Sequence, residues 1–244
     1  IGSGLVGSEM CIRDRAESFN VSKDGDKSIV KVTYRFPQVD AQWEITYKVF
    51  ANGIIKVDNR FVAEGTETPM IPRVGLRMQL SEILNDLTYY GRGPEENYRD
   101  RRTSQFIGEY TTPIKDLYEP YIRPQENEHR TDIYWCALTT KQKAGLLFIA
   151  DRTFELNASN YLLGSLDSGE TIDNGAPRTN ETNHRHLTDP QPVKQVDMFI
   201  DYRMMGVGGD NSWGAIAHEP YLIRPGVETV SYTHLRAHET GAYL

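Results

Sequence analysis

Apolar and polar residues alternate along several stretches of the chain, and this period of two limits the possible fold more than any other feature. In residues 43–49 every second residue is apolar, which is typical of a strand with one buried and one exposed face. Residues 30–36 and 55–61 alternate in the same way, and Asn52-Gly53 between two such runs is a strong hairpin signal. Further strands are predicted at 74–80, 145–150, 193–204 and 221–223. The sequence therefore predicts an all-β, antiparallel protein.

The stretch from Tyr89 to Arg130 departs from this pattern and contains four prolines. We expect a long ordered loop there, and long ordered loops in compact domains are often functional or form interfaces. The stretch carries several carboxylates, and a glycosidase needs two, about 5–5.5 Å apart for retention or 6.5–9.5 Å for inversion. These acids are Glu95, Glu96, Asp100, Glu126 and Glu128. Because acidic loops are common on acidic proteins, we expect no catalytic pair within this chain.

The charge balance argues against some classes of partner. The chain has 27 Lys and Arg against 34 Asp and Glu, a formal net charge of −7. This balance speaks against nucleic acid or an anionic membrane surface as the main partner. No run of about 18 apolar residues exists, which excludes a membrane-spanning helix. The two cysteines, Cys11 and Cys136, fit neither a disulfide framework nor a zinc site.

Two histidines, His184 and His186, form the one spacing that suggests a metal. On a strand they would lie on the same side, about 6.6–7 Å apart. A metal site also needs a third ligand and groups that orient the ligands, and the sequence pattern supplies neither. We therefore interpret the pair as structural and predict no metal site in this chain.

The glycine-rich segment at 206–214 is the sharpest local feature of the sequence. Its glycines permit unusual backbone angles and close backbone approach, while Asp210 and Asn211 are expected to make local turn bonds. Trp213 follows at once, so its indole could lie at a loop tip with its flat face against the C–H face of a sugar. An equally simple interpretation folds Trp213 back as a plug of the core.

Four segments together resemble a known family. They are GRGPEENYRDR (91–101), DLYEPYIRPQEN (116–127), ETNHRHL (181–187) and GVGGDNSW (206–213). In this order they resemble the C-terminal, or small-chain, domain of the bacterial β-galactosidases of glycoside hydrolase family 2, over about residues 28–226. The resemblance implies a large antiparallel β super-sandwich, similar in fold to galactose mutarotase, which agrees with the alternating pattern.

The resemblance also implies a division of labour. In this family the catalytic glutamates and the Mg and Na ions lie in a separate barrel domain, so we expect neither catalytic residues nor a cofactor on this chain. The C-terminal domain lends the active site one aromatic residue, which by position is Trp213, on the loop that carries Asp210 and Asn211.

The expected function is that of a fragment of a β-galactosidase, which hydrolyses terminal β-D-galactosides such as lactose. Its expected partners are the galactoside, the barrel domain and, at full length, further copies of the enzyme. We expect the chain alone to be inactive. The alternative is a free-standing galactose-binding or mutarotase-like sandwich. The sequence leaves a cytoplasmic or a periplasmic location open.

The two ends look foreign to the rest of the chain. Residues 1–15 and 230–244 resemble translated sequencing adapters, and neither shows an apolar face that could join a core. We expect both ends to be disordered, since the cost of ordering them, about 1–2 kcal/mol per residue, is not compensated. The predicted domain is then a sandwich over residues 16–229 that is truncated at both ends.

Overall fold

The structure is a computed structural model that describes residues 15–37, 40–63, 70–122, 124–166, 187–211 and 214–237. Within these ranges eleven strands form one hydrogen-bonded sheet, and every strand pair is antiparallel. The prediction of an all-β, antiparallel protein is confirmed. The strands are β1 (Arg15–Asp24), β2 (Lys27–Phe36), β3 (Ala41–Phe50), β4 (Ile55–Ala63), β5 (Arg73–Ser81), β6 (Asp86–Gly93), β7 (Phe106–Pro113), β8 (Arg130–Thr139), β9 (Gly145–Ser159), β10 (Gln195–Met204) and β11 (Val227–Ala237).

The strand order joins local hairpins to distant pairings. The main path runs β1-β2-β3-β4-β11-β9-β8-β6-β7, and β10 pairs with both β5 and the second part of β9. One short α-helix is described, α1 (Leu163–Leu166), with 3-10 turns at Ile114–Asp116 and Glu219–Tyr221. The sheet therefore provides almost all of the regular structure in the described residues.

The predicted hairpin between β3 and β4 is confirmed. Gly53 has a φ of 87°, a left-handed value that glycine adopts without steric cost. The Asn52 side chain accepts a hydrogen bond from the Ile54 N–H at 3.1 Å, and the Phe50 N–H donates to the Ile54 carbonyl at 2.9 Å. Beyond the turn, Val57 faces the core, as the alternation predicts.

One apolar cluster holds the sheet together. It draws side chains from β3, β4, β6, β8, β9, β10 and β11, so distant parts of the sheet share one interior. Complete burial of a large aliphatic side chain stabilises the folded state by roughly 1.5–3 kcal/mol. The large aliphatic members that are fully buried are Leu87, Ile114, Ile133, Leu138, Leu156, Val196, Met198 and Ile200.

The prediction of a loop throughout 89–130 is wrong in two places. Tyr89 and the residues up to Gly93 belong to β6, and β7 lies within the same stretch. The buried face of β6 carries glycines as well as apolar side chains. No side chain fits at Gly91, since a Cβ there would lie 2.4 Å from Cδ1 of Ile133. A pattern of apolar residues does not register glycine, so it misses this strand. The strand predicted at 221–223 reduces to a single bridge between Ile223 and Ile71.

The prediction of a disordered tail from Val230 is wrong as far as Ala237. These residues belong to β11, which lies between β4 and β9 and pairs with both. Without β11 the backbone N–H and C=O groups on the facing edges of β4 and β9 would lack these partners. Tyr232 is only 4% exposed and belongs to the core cluster. Residues 1–14 and 238–244 lie outside the described residues, and the adapter origin of the ends stays a prediction.

Candidate functional site

Three of the four motif segments meet at one place beside the sheet. The first segment contains a tight turn, in which the backbone groups of Tyr98 and Arg101 exchange hydrogen bonds of 3.1 and 2.8 Å. This turn presents Arg99 and Asp100 at its tip. The second segment and the glycine-rich segment both contact this first segment, through Tyr121 and Gly208 respectively.

Glu96 connects the first segment to the second. One of its carboxylate oxygens accepts hydrogen bonds from the Tyr121 hydroxyl and, at 2.5 Å, from Arg101. Its other oxygen accepts the Glu128 N–H at 2.9 Å. The Tyr98 hydroxyl donates to the Glu126 carbonyl at 3.4 Å. Burial, together with the nearby Glu126 and Glu96, raises the pKa of Tyr98, so its hydroxyl keeps its proton and acts as the donor.

The glycine-rich segment is held against the first segment by its backbone. The Gly208 N–H donates to a carboxylate oxygen of Asp100 at 2.7 Å, and the Gly206 N–H donates to the Tyr221 carbonyl at 2.8 Å. Just before them, the Met205 N–H donates to the Pro72 carbonyl at 2.9 Å. The start of the loop is therefore fixed to the sheet and to the turn at Asp100.

Two glycines of this segment are required by close approach. A Cβ on Gly206 would lie 2.7 Å from the carboxylate carbon of Asp100 and 2.9 Å from Cβ of Tyr221. A Cβ on Gly209 would lie 2.0 Å from the Ala215 carbonyl oxygen. Any larger residue at either position would displace the loop. The prediction that these glycines allow close backbone approach is thereby confirmed.

Of the three predicted sugar-contact residues, Asp210 and Asn211 are among the described residues and Trp213 is not. Asp210 is exposed, and one of its carboxylate oxygens lies 2.8 Å from Nε2 of His218, eight residues along the chain. Asn211 lies in the same exposed loop and also has a polar partner. Trp213 lies outside the described residues, so its role as a sugar contact stays a prediction. His184 and His186 lie outside the described residues as well.

A buried polar cluster lies beneath these loops, with His129 at its centre. The His129 ring is fully buried and stacks on Tyr98, with 5.0 Å between ring centroids. Its Nδ1 lies 2.7 Å from the Asn157 side-chain oxygen, and its Nε2 lies 3.1 Å from a Glu155 oxygen. The Asn157 side-chain NH₂ donates to the Asn127 carbonyl, which turns the Asn157 oxygen toward the ring.

Both ring nitrogens of His129 therefore face acceptors, an arrangement that suits the doubly protonated, charged imidazolium. Burial alone would lower the pKa of His129, but the hydrogen bond and the charge of Glu155 outweigh burial and raise it. The same Glu155 oxygen accepts the Met204 N–H at 2.7 Å. His129 is thus linked through Glu155 to the backbone that leads into the glycine-rich segment.

Arg73 is the second cation of the cluster. It donates to Asp201 at 2.6 Å, to Glu126 at 2.7 Å and to the Asn157 side-chain oxygen at 2.9 Å. Its guanidinium lies over the Phe199 ring, 4.1 Å from the ring centroid. Burial raises the pKa of Asp201 to about 6, although the charge of Arg73 acts in the opposite direction.

Glu128 is the most unusual carboxylate of the cluster. Its backbone has a left-handed φ of 67°, which is uncommon for a residue with a side chain. Burial raises its pKa to about 8, although the Ser159 hydroxyl donates to it at 3.1 Å. Beside it is a cavity of about 20 Å³, large enough for one water molecule. Residues that line it include Glu126, Asn127, Glu128, Asn157, Ser159, Tyr161, Asp197 and Phe199.

The structure brings together four of the five carboxylates singled out in the sequence. Glu96, Glu126 and Glu128 surround the Tyr98–His129 stack, and Asp100 holds the glycine-rich segment, while Glu95 lies exposed. The first four serve in contacts with cations, hydroxyls or backbone N–H groups. In the described part of the chain no three His, Cys, Asp or Glu side chains are grouped to hold a metal ion, and no helix there is long and apolar enough to cross a membrane.

Several residues of the cluster were missed by sequence reasoning, namely Arg73, Glu155, Asn157 and Asp201. Glu155 and Asn157 alternate with buried apolar residues on β9, so the pattern places them on an exposed face. A second sign was available, because Asp197 and Asp201 alternate in the same way on β10, the strand beside β9. Polar residues on facing positions of two interior strands indicate a buried polar cluster.

Comparison with known proteins assigns the chain to a family. The family model for the Beta galactosidase small chain matches residues 7–235. A β-galactosidase of Priestia megaterium is 29% identical over 212 residues, which cover 87% of this chain and 19% of that protein. A β-galactosidase of Streptococcus thermophilus is 30% identical over 214 residues, covering 84% and 19%. The chain thus spans about a fifth of the length of these relatives.

Among solved structures, a GalM/aldose epimerase homologue from C. elegans aligns with a TM-score of 0.43 and 11% identity, covering 90% of this chain and 68% of that one. The GH36 α-galactosidase AgaA from Geobacillus stearothermophilus aligns with a TM-score of 0.42 and 9% identity, covering 93% and 28%. Because the family match extends over nearly the whole sequence and includes the segments that meet at Asp100, the chain belongs to the β-galactosidase small-chain family.

Proposed function

We propose that this chain is the small-chain domain of a longer β-galactosidase, which hydrolyses terminal β-D-galactosides such as lactose. In this proposal the chain lends a sugar-contacting loop to an active site whose catalytic carboxylates lie on a separate barrel domain. The observation that carries the proposal is the family match over residues 7–235, which includes the anchored glycine-rich segment. The longer enzyme is expected to assemble from several copies.

The chemistry of the loop fits sugar binding. An indole at position 213 would offer a flat apolar face to the C–H face of galactose, and Asp210 and Asn211 would offer hydrogen bonds to hydroxyl groups. The backbone bonds of Gly206 and Gly208 fix the loop before the ligand arrives, so less conformational entropy is lost on binding.

The carboxylates support the division between binding and catalysis. Glu126 is bound to Arg73, Glu96 to Arg101, and Glu128 is buried with a pKa raised to about 8. These contacts are structural, so the acid and the nucleophile of a glycosidase are assigned to the barrel. The Mg and Na ions of the family are assigned to the barrel too.

The first experiment measures Trp213→Ala in the full-length enzyme. Loss of roughly 60–80 Å² of apolar contact at about 25 cal/mol per Å² weakens binding by on the order of 1.5–2 kcal/mol. We expect KM for a chromogenic galactoside, and the constants of competitive inhibitors, to rise about ten- to thirtyfold, with a smaller change in kcat. Trp213→Phe should recover part of the loss, because it keeps a flat ring.

Trp43→Ala is the matched control, because Trp43 packs against the core beside Tyr34, with 6.5 Å between ring centroids. That change should lower thermal stability and leave KM unaltered. If Trp213→Ala behaves like this control, with an unaltered KM and a stability loss of about 3–5 kcal/mol, Trp213 is a core residue and the proposed role is wrong.

The second experiment tests the 244-residue chain by itself. We expect no hydrolysis of a chromogenic galactoside and no acceleration of the interconversion of galactose anomers, followed by polarimetry. Anomer interconversion by the isolated chain would instead support the free-standing, mutarotase-like alternative. Hydrolysis that disappears when a carboxylate of this chain is replaced would contradict the division between the two domains.

A further inference from the structure

We propose that Asp100 is a positioning residue that sets the place of residues 206–211 in the glycine-rich segment, an inference that rests on the proposed function of that segment. The carboxylate of Asp100 accepts the Gly208 N–H at 2.7 Å, across 108 residues of sequence. A hydrogen bond to a charged acceptor is about twice as strong as one between neutral groups. Asp100 thus ties the sugar-contact loop to a different motif of the protein.

Asp100 itself is held in a rigid setting. It lies in the turn closed by the mutual backbone hydrogen bonds of Tyr98 and Arg101. The Arg101 guanidinium lies over the Tyr98 ring, 5.1 Å from its centroid, and Tyr98 stacks in turn on the buried His129. The carboxylate therefore projects from a turn that is fastened to the polar cluster beneath it.

The loop is shaped around the Asp100 carboxylate. A Cβ on Gly206 would lie 2.7 Å from the carboxylate carbon, which is too close for any side chain, whereas a Cβ on Gly208 would make an ordinary contact, 3.4 Å from its oxygen. Glycines that allow this approach also leave the backbone with more conformational freedom than any other residue would. An outside restraint is needed to keep such a segment in one conformation, and the Asp100 carboxylate is placed to provide it.

The bond between Asp210 and His218 does not replace this restraint. Both residues are exposed, with 77% and 63% of the respective side chains accessible, and they lie only eight residues apart. Their bond closes the loop on itself, whereas the bond of Asp100 fixes the loop relative to the sheet. Loss of Asp100 should therefore leave the loop closed but displaced.

The predicted consequence is a loss of substrate binding without a loss of chemistry. When only a fraction of molecules holds the loop in place, the apparent affinity falls by that fraction. In the full-length enzyme we expect Asp100→Ala to raise KM for a chromogenic galactoside about three- to tenfold, with kcat changed less than twofold. Asp100→Asn should restore KM only in part, because its amide oxygen can still accept the Gly208 N–H but carries no charge.

A double variant tests whether Asp100 acts through the loop. Asp100→Ala combined with Trp213→Ala should raise KM no further than Trp213→Ala alone, because the contact that Asp100 positions is then already missing. Gly206→Ala gives a second route to the same displacement, since its Cβ would collide with the Asp100 carboxylate, and it should raise KM as well. Asp26→Ala, which removes an exposed carboxylate from the turn between β1 and β2, is the control and should leave KM unaltered.

Hydrogen exchange on the 244-residue chain measures the restraint directly. In Asp100→Ala the amides of residues 206–211 should exchange about tenfold faster, while those of β10 keep their wild-type rates. Unchanged loop exchange together with an unchanged KM in Asp100→Ala would overturn the inference. If Trp213→Ala raises KM and Asp100→Ala does not, the positioning role alone is wrong. If Trp213→Ala leaves KM unaltered, the proposed sugar-contact role of the loop is wrong, and the positioning role that rests on it is wrong as well.

Discussion

Strands β2–β4 and strands β9–β10 bury different kinds of side chain. The inner face of β2–β4 carries Val32, Ile45 and Val57, which gain stability by leaving water. Between β9 and β10 the buried residues include Glu155 and Asp201, which lose hydration and need partners in return. A buried apolar side chain is stabilised by close packing against almost any apolar neighbour. A buried polar side chain is stable only when specific groups pair with its hydrogen-bonding atoms or its charge.

Strand β9 has apolar side chains buried on one face and polar side chains buried on the other. Phe154, Leu156 and Ala158 belong to the apolar core cluster. Glu155 and Asn157, which alternate with them, meet His129 on the other face. One strand therefore separates an apolar interior from a polar one, so a substitution on each face tests a different source of stability.

The largest expected effect is that of Arg73→Met, because it leaves Asp201 and Glu126 without their cation. Removal of one partner from a buried ion pair costs about 3–5 kcal/mol, since the remaining charge is neither hydrated nor paired. Urea unfolding should show this loss at pH 8. A smaller loss is expected at pH 5, where Asp201, with a pKa raised to about 6, holds its proton. A loss of the same size at both pH values would show that the charge of Asp201 does not contribute to it.

A pH dependence is expected from Glu128, whose pKa is about 8 in the folded protein against about 4.5 when exposed. The folded state holds a proton that the unfolded chain releases, so the contribution is complete below pH 4.5 and is lost as the pH rises to 8. Between pH 5 and pH 8 this group should lower the free energy of unfolding by on the order of 2–4 kcal/mol. Burial is the main cause of the shift.

Glu128→Gln should abolish that dependence, because the amide cannot titrate. The variant should be more stable than the wild type at pH 8 and similar to it near pH 4.5, measured by urea unfolding across the range. Glu109→Gln, an exposed carboxylate on β7, is the control and should leave the pH profile unchanged. A wild-type profile in Glu128→Gln would mean that Glu128 is ionised in the folded state.

A moderate effect is expected on the apolar side, from Ile45→Val. This change removes one buried methylene from β3 and should cost about 0.5–1.5 kcal/mol. Unlike the change at Arg73, the loss should be equal at pH 5 and pH 8, because Ile45 packs in a cluster of aliphatic and aromatic side chains. A loss that depends strongly on pH would remove the distinction between the two interiors.

The smallest effect is expected from Lys48→Met, which removes the cation that lies 2.8 Å from Asp58 on the partly exposed face of β3 and β4. Ion pairs with access to water contribute about 0.2–1 kcal/mol and weaken in salt. The difference in stability from the wild type should therefore shrink in 1 M NaCl. A loss above about 2 kcal/mol that salt does not reduce would place this pair with the buried ones.

The same contrast explains which parts of the fold the sequence could predict. Strands β2–β5 have one apolar and one polar face, so the period of two revealed them. Strand β6 was missed because glycines occupy inward positions, and β11 was missed because its side chains gave no clear apolar face. The pairing of β11 is dictated by the open edges of β4 and β9, which a local pattern does not contain.

Prediction of the candidate site was limited in a similar way. The glycine-rich segment could be recognised because Gly206 and Gly209 satisfy a local steric demand. The carboxylate of Asp100 could be named from the sequence, but not its role, because its partner Gly208 is 108 residues away. His129 and Arg73 become informative only when the sheet brings β5, β8, β9 and β10 together. A local sequence pattern therefore does not predict contacts that depend on pairing between strands distant in the sequence.

The position of β11 also has a consequence for the order in which the protein is made. Val57 of β4 pairs with Tyr232 of β11, which is synthesised much later, so one edge of β4 has no partner strand until β11 has been made. At a ribosomal rate of about 5–20 residues per second, this wait is on the order of ten seconds or more. During that time β4 presents an unpaired edge to its surroundings. The nascent chain is therefore expected to depend on chaperones until β11 emerges.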